Sequence, residues 1–140
     1  MTRPFHLAFP VRDLVETRAF YVGKLGCRTG REDSHWIDFD LFGHQVVAHV
    51  DPALKDAVQV RNQVDGADVP VPHFGVVLTM EQWRGLREKL EADSSTNWVI
   101  TPRIRFEGQP GEQATMFLLD PSGNALEFKA FADDAMLFAK

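Results

Sequence analysis

The sequence predicts an α+β fold of two halves, each running strand, helix, then two or three strands. Three observations carry this. Each half opens on a short apolar strand with a histidine at its start, His6 in the first and His73 in the second. Each continues into a helix marked by a cap residue with Glu or Gln three positions on, Asp13 with Glu16 and Thr79 with Gln82. Each has a pair of strands joined at a glycine turn, Gly43 in the first half and Gly123 in the second. Neither half can bury both faces of so small a sheet, so the two should pack as a pair. The repeat lies in the pattern and not in residue identities.

Residues 5–11 (Phe-His-Leu-Ala-Phe-Pro-Val) read as the first strand. Leu14, Ala19, Phe20, Val22 and Leu25 give the next segment an apolar helical stripe, and Gly26 ends it. Strands follow at 35–41 and 44–50, with Phe42-Gly43 as the tight connection. Residues 51–71 are polar, rich in Asp and Val, and end in Val-Pro-Val-Pro, the composition of a linker. Pro70 and Pro72 favour an extended approach to the strand that begins at His73. Trp83, Leu86 and Leu90 form the stripe of the second helix. Strands are then expected at about 102–107, 113–119 and 125–131. The chain divides as a single domain with a first module at 1–50, a linker at 51–71 and a second module at 72–140.

Composition bounds the function. The chain has 140 residues, 44% hydrophobic and 25% charged, with a net charge of −5. No Lys/Arg cluster is present to neutralise a phosphate backbone, so nucleic acid is not an expected partner. No apolar run is long enough to span a bilayer, and Met-Thr-Arg-Pro-Phe-His lacks a signal core. The single Cys27 excludes an internal disulfide and fits a reducing cytoplasm. After Gly26 it reads as a small buried residue and not as a nucleophile.

One carboxylate points to chemistry. Glu127 alternates with Leu126 and Phe128, so it faces the other side of its strand from them. That side is either solvent or a cavity in which Glu127 is paired or binds a metal. Taken singly, a histidine at a strand start is more often structural than a ligand. His6 and His73 stand at repeat-related positions, and with Glu127 they form a facial triad. Two imidazoles and one carboxylate leave about three positions open on an octahedral metal such as Fe(II) or Mn(II). No HxH or HExxH spacing is present, so the motif by itself is of moderate specificity.

At these residues the chain resembles the vicinal oxygen chelate superfamily, which includes glyoxalase I, extradiol dioxygenases, fosfomycin-resistance transferases and bleomycin-binding proteins. The resemblance covers nearly the whole chain. It is carried by the opening from Phe5 to Asp13, by Phe20-Tyr21 with Leu25-Gly26-Cys27, by Pro72-His73-Phe-Gly-Val-Val, and by Phe117 to Phe128 with Asp120-Pro-Ser-Gly123 before Glu127. It implies paired βαβββ modules forming a cupped mixed sheet with helices outside. His6, His73 and Glu127 match the family's metal ligands. Some members add a fourth ligand on the last strand of the first half. Aligning Gly43 with Gly123 puts Val47 or Ala48 there, and neither can ligate.

The resemblance therefore implies a metal-dependent dioxygenase of the three-ligand kind, with Fe(II) first and Mn(II), Ni(II) or Zn(II) as alternatives. The substrate would be a small molecule bound through two oxygens, and His44 or His49 would serve as acid or base. Gln113, Thr115 and Phe117 share one strand face, which the family pattern places toward substrate. Arg105, on one face with Arg103, would hold an anionic group. Asp120 reads as a turn residue bonding its own backbone. Two other readings stand beside this one: a glyoxalase- or fosfomycin-type lyase or transferase, and a metal-free bleomycin-type drug-binding module. A homodimer is expected, since many relatives pair their modules.

Overall fold

The computed structural model describes residues 2–54, 60–64 and 67–140. They form two compact units, Met1–Val58 with Asp120–Asn124, and Gln59–Leu119 with Ala125–Lys140. Each unit carries the strand, helix, three-strand order, so the predicted βαβββ repeat holds in both.

In the first unit the order is β1 (His6–Val11), a helix, β2 (Arg28–Glu32), β3 (Trp36–Leu41) and β4 (His44–Val50). The sheet runs β1-β4-β3-β2. The strand pair β1 and β4 is parallel, with His6 opposite Gln45 and Ala8 opposite Val47. Phe42 (φ 51°) and Gly43 (φ 90°) form the two-residue β3–β4 turn that Phe42-Gly43 predicts.

The helix begins at α1 (Leu14–Arg18), where the Asp13 side chain accepts from the Glu16 amide. The Glu16 carboxylate engages Arg12. The next turn, Ala19–Lys24, widens to a π-helix, with the Leu25 amide bonded to the Phe20 carbonyl at 3.1 Å. The wider turn shifts the buried face by one residue. Tyr21 becomes fully buried, and Val22, expected in the stripe, is 38% exposed. Tyr21 stacks on Phe39 at 5.0 Å and packs edge-on against Phe20. Its hydroxyl donates to Asp120 Oδ2 at 2.9 Å. Asp120 also accepts from the Ser122 and Asn124 amides and the Asn124 side chain, the turn role read for it. Burial pushes the Asp120 carboxyl above 3.8, against the opposing pull of those donors. Cys27 is buried, as expected.

The second unit contains β7 (His73–Phe74), β8 (Val77–Leu78), α2 (Met80–Glu91), β9 (Asn97–Arg105), β10 (Gln113–Leu119) and β11 (Ala125–Phe131). Its sheet runs β7-β11-β10-β9, with β8 also paired to β11. The Thr79–Gln82 capping box forms as predicted. Trp83, Leu86 and Leu90 are buried, and Trp83 Nε1 donates to the Phe128 carbonyl at 3.1 Å. β9 starts five residues before the predicted strand, because Pro102 sits where the β9–β10 register shifts on an edge strand, which tolerates a missing N–H.

β7 and β8 are one strand interrupted at Gly75-Val76. Pairing of His73 with Ala125 and of Val77 with Lys129 sets Gly75 against Glu127. A Cβ on Gly75 would lie 1.6 Å from the Glu127 carbonyl oxygen, so only glycine lets the chains approach this closely.

Two strands lie in the segment read as a linker. β5 (Val60–Val64) and β6 (Ala67–Val71) pair as an antiparallel hairpin. Val-Arg-Asn-Gln-Val has three polar residues in a row and Ala-Asp-Val-Pro-Val carries a proline, so neither announces itself as a strand. Residues 55–59, 65 and 66 of that segment lie outside the described residues. Val69 packs with Phe117 and Ala125 on one face of the second sheet. β2 was not expected either, and its five residues are all exposed, so no apolar pattern announces it. No helix among the described residues is long and apolar enough to cross a membrane.

Candidate functional site

Within the second unit, His73 and Glu127 come together. His73 opens β7, and Glu127 sits at the middle of β11, across from the gap left by Gly75. His73 Nε2 lies 3.7 Å from Glu127 Oε1. His73 Nδ1 is 2.7 Å from the Pro70 carbonyl. A carbonyl only accepts, so Nδ1 carries the hydrogen and neutral His73 turns its Nε2 lone pair toward Glu127. Two acceptors then face each other across the gap. A proton on Nε2 or a metal cation between them completes the arrangement.

Glu127 is held on its other oxygen. Thr115 Oγ1 donates to Glu127 Oε2 at 2.8 Å, and the Glu127 side chain is only 16% exposed. That leaves Oε1 to His73 and to Lys129, whose Nζ is 3.6 Å away. Phe117 stands opposite Glu127 on β10, fully buried, and its ring packs edge-on to the His73 imidazole at 4.8 Å. A pocket of about 280 Å³ is lined by His73, Gly75, Glu127, Lys129 and Leu137. A carboxylate oxygen and an imidazole nitrogen converging there, each backed by a hydrogen bond on its other atom, fit a divalent cation.

The substrate-side residues divide. Thr115 and Phe117 do share the Glu127 face, but Thr115 is spent on the carboxylate and Phe117 is wall. Gln113 pairs with Arg105 one row farther along. The Arg105 guanidinium lies 5.0 Å over the Phe106 ring.

Within the first unit, His6 is exposed at the start of β1. Its Nδ1 is 2.8 Å from Gln45 Oε1, and Gln45 Nε2 donates to Asp38 Oδ2 at 3.3 Å. The registers also resolve which residue is the first-half counterpart of Glu127. His6 pairs with Gln45 as His73 pairs with Ala125, so two residues further along Val47 corresponds to Glu127. Val47 offers no ligand atom. His44 and His49 are not gathered beside His6. His49 pairs with Pro10 on the His6 face, four residues along the strand and so roughly 13 Å away. His44 points to the other face, and its Nδ1 accepts the Phe5 amide at 2.9 Å. Among the described residues, no three His, Cys, Asp or Glu side chains form a group arranged to hold a metal.

Lys129, the Pro70 carbonyl, Gln45 and Asp38 were not expected at these positions. Lys129 follows Glu127 by two residues, so strand alternation alone puts it on the same face. The other three depend on cross-strand register and on the hairpin.

No family model and no curated protein matches the chain. Among solved structures, a glyoxalase/bleomycin resistance protein/dioxygenase from Alicyclobacillus acidocaldarius is 35% identical at a TM-score of 0.78, over 98% of this chain and 97% of that one. The genomically encoded fosfomycin resistance protein FosX from Listeria monocytogenes is 17% identical at a TM-score of 0.68, over 98% and 99%. FosX from Mesorhizobium loti is 15% identical at 0.65, over 93% and 92%. The last two share the fold.

Proposed function

The chain belongs to the glyoxalase/bleomycin resistance protein/dioxygenase family, within the vicinal oxygen chelate superfamily, and from that membership we propose that it is a divalent-metal enzyme acting on a small molecule through two neighbouring oxygens. One observation carries the reading: His73 Nε2 and Glu127 Oε1 converge as two acceptors, each oriented by a bond on its other atom. His6, at the matching position of the first half, is the third proposed ligand. Val47 in place of a fourth leaves three protein ligands. When bound, the metal supplies Lewis-acid polarisation and a template for the two substrate oxygens.

The chain's own residues do the rest. Thr115 holds the Glu127 carboxylate, the Pro70 carbonyl holds the His73 ring, and Phe117 excludes water beneath it. Gln113 and Arg105 extend this face toward the substrate, with Arg105 suited to an anionic group. His44 and His49 stand apart from His6, so the acid or base role is assigned to neither. Fe(II) is the proposed metal, ring-cleaving dioxygenation the proposed reaction, and a homodimer the proposed assembly.

A lyase or transferase reading has one observation in its favour. Tyr21, the only tyrosine, is fully buried and bonded to Asp120, so no phenol is free to assist ring cleavage. Anaerobic loading with Fe(II), then oxygen uptake against a panel of catechols, separates the readings. Uptake with a catechol supports the dioxygenase. No uptake, with Mn(II)-dependent opening of an epoxide by a thiol, supports the transferase. Tight ligand capture unchanged by chelator supports a metal-free binding module.

A further inference from the structure

We propose that Gln45 and Asp38 are positioning residues for His6, fixing its imidazole so that Nε2 is presented as a lone pair. The inference rests on the reading of His6 as a ligand and adds the device that orients it.

The chain of contacts decides the hydrogen positions. The Asp38 carboxylate accepts hydrogen bonds and cannot donate them when ionised. Gln45 therefore turns its amide nitrogen to Asp38 Oδ2, at 3.3 Å. Its carbonyl oxygen is then left toward His6 Nδ1, at 2.8 Å. That oxygen also only accepts, so Nδ1 carries the hydrogen and Nε2 is bare. The reversed amide would set its carbonyl against the Asp38 carboxylate and its N–H₂ against Nδ1. Two acceptors would then face each other at Asp38, which disfavours it.

Strand pairing builds the relay. Gln45 lies directly beside His6 on β4. Asp38 lies beside Val47 on β3, two positions along the same face, within diagonal reach of Gln45. On the other side, a Cβ added at Gly30 would come within 3.2 Å of the Asp38 Cβ. The second half reaches the same tautomer by another route. Its counterpart of Gln45 is Ala125, which has no polar side-chain atom, and the Pro70 carbonyl takes His73 Nδ1 instead. Two unrelated devices converge on one result, Nδ1 protonated and Nε2 presented. That convergence is unexplained if the two histidines merely decorate strand ends. An oriented outer partner of this kind is worth about 10–100-fold in metal affinity.

The test reads the tautomer in the metal-free protein, by two-bond ¹⁵N–¹H correlation at a pH where the imidazoles are neutral. Wild type should show His6 with its hydrogen on Nδ1. Gln45→Leu should move the hydrogen to Nε2, the form a free imidazole prefers, and Asp38→Asn should give a mixture as the amide is released. The pair Asp38→Asn with Gln45→Glu should restore Nδ1–H, because the new amide donates to the new carboxylate, which accepts from His6. Mn(II) affinity should fall about 10–100-fold in Gln45→Leu and recover in the double variant. His6 carrying its hydrogen on Nε2 in wild type, or failure of the double variant to restore it, overturns the relay. Unchanged Mn(II) affinity in His6→Ala sinks the ligand assignment instead, while leaving the tautomer result to stand.

Discussion

Thr115 and Glu127 are joined diagonally across β10 and β11, the Thr115 hydroxyl donating to Glu127 Oε2 at 2.8 Å. The bond leaves Oε1 facing His73 and Lys129, and this is the atom proposed to take the metal. Thr115→Val keeps the shape of a side chain that is only 1% exposed and removes the donor. We expect a loss of about 1.5–3 kcal/mol in urea unfolding, the range for hydrogen bonds to charged groups. Mn(II) affinity should fall about tenfold or more, as for other outer-shell partners. Thr115→Ser should restore most of the affinity.

Lys129 would compete with the proposed metal for the same oxygen. Its ammonium lies 3.6 Å from Oε1 on a side chain that is 37% exposed. Lys129→Met should raise Mn(II) affinity by up to about fivefold, matching the ~1 kcal/mol ceiling of a partly exposed ion pair. The titration should be run at low and high salt. The gain should shrink at high salt, where the ammonium is screened.

Gly75 sets the spacing beside Glu127. Gly75→Ala forces a Cβ into the Glu127 carbonyl, and we expect about 1–3 kcal/mol of destabilisation or more. Gly85→Ala, in α2 with nothing within 4 Å of the added Cβ, should stabilise by about 0.5–1 kcal/mol. Paired urea melts give the sign of each.

Tyr21 predicts an alkaline limit. Burial, then the Asp120 charge, then the hydrogen bond to Asp120 push its phenol well above 10.0. The folded value is the higher one, so this contribution to stability is complete below pH 10 and is lost as pH rises beyond it. Tyr21 is the only tyrosine, so phenolate absorbance reports it alone. Native protein should show no ionisation at the ordinary phenol pH, followed by a step coincident with unfolding. An ordinary reversible titration near pH 10 without unfolding would contradict the buried pair.

Local chemistry was legible where one residue type dictates it. The caps at Asp13 and Thr79, the Phe42-Gly43 turn, and the bounds of β10 and β11 follow from side-chain preferences and apolar runs. The π-turn was not legible, because a one-residue change of helical phase leaves no mark in composition, and it exchanged Val22 for Tyr21 in the core. β2 was hidden by complete exposure, and the β5–β6 hairpin by its polar sequence. That Glu127 turns away from Leu126 and Phe128, onto the face it shares with His73, could be read from alternation. Thr115, placed toward substrate, turned out to serve the carboxylate, because only the β10–β11 register shows which group its hydroxyl meets. Gln45 and Asp38 required the β1–β4–β3 register for the same reason.

The most direct test of the metal assignment is calorimetric titration of chelator-treated protein with Mn(II), beside His6→Ala, His73→Ala and Glu127→Gln. We predict one site per chain in wild type and a loss of affinity of at least about 100-fold in each variant. Wild-type protein that binds no Mn(II), or any of the three variants binding as tightly as wild type, would contradict it.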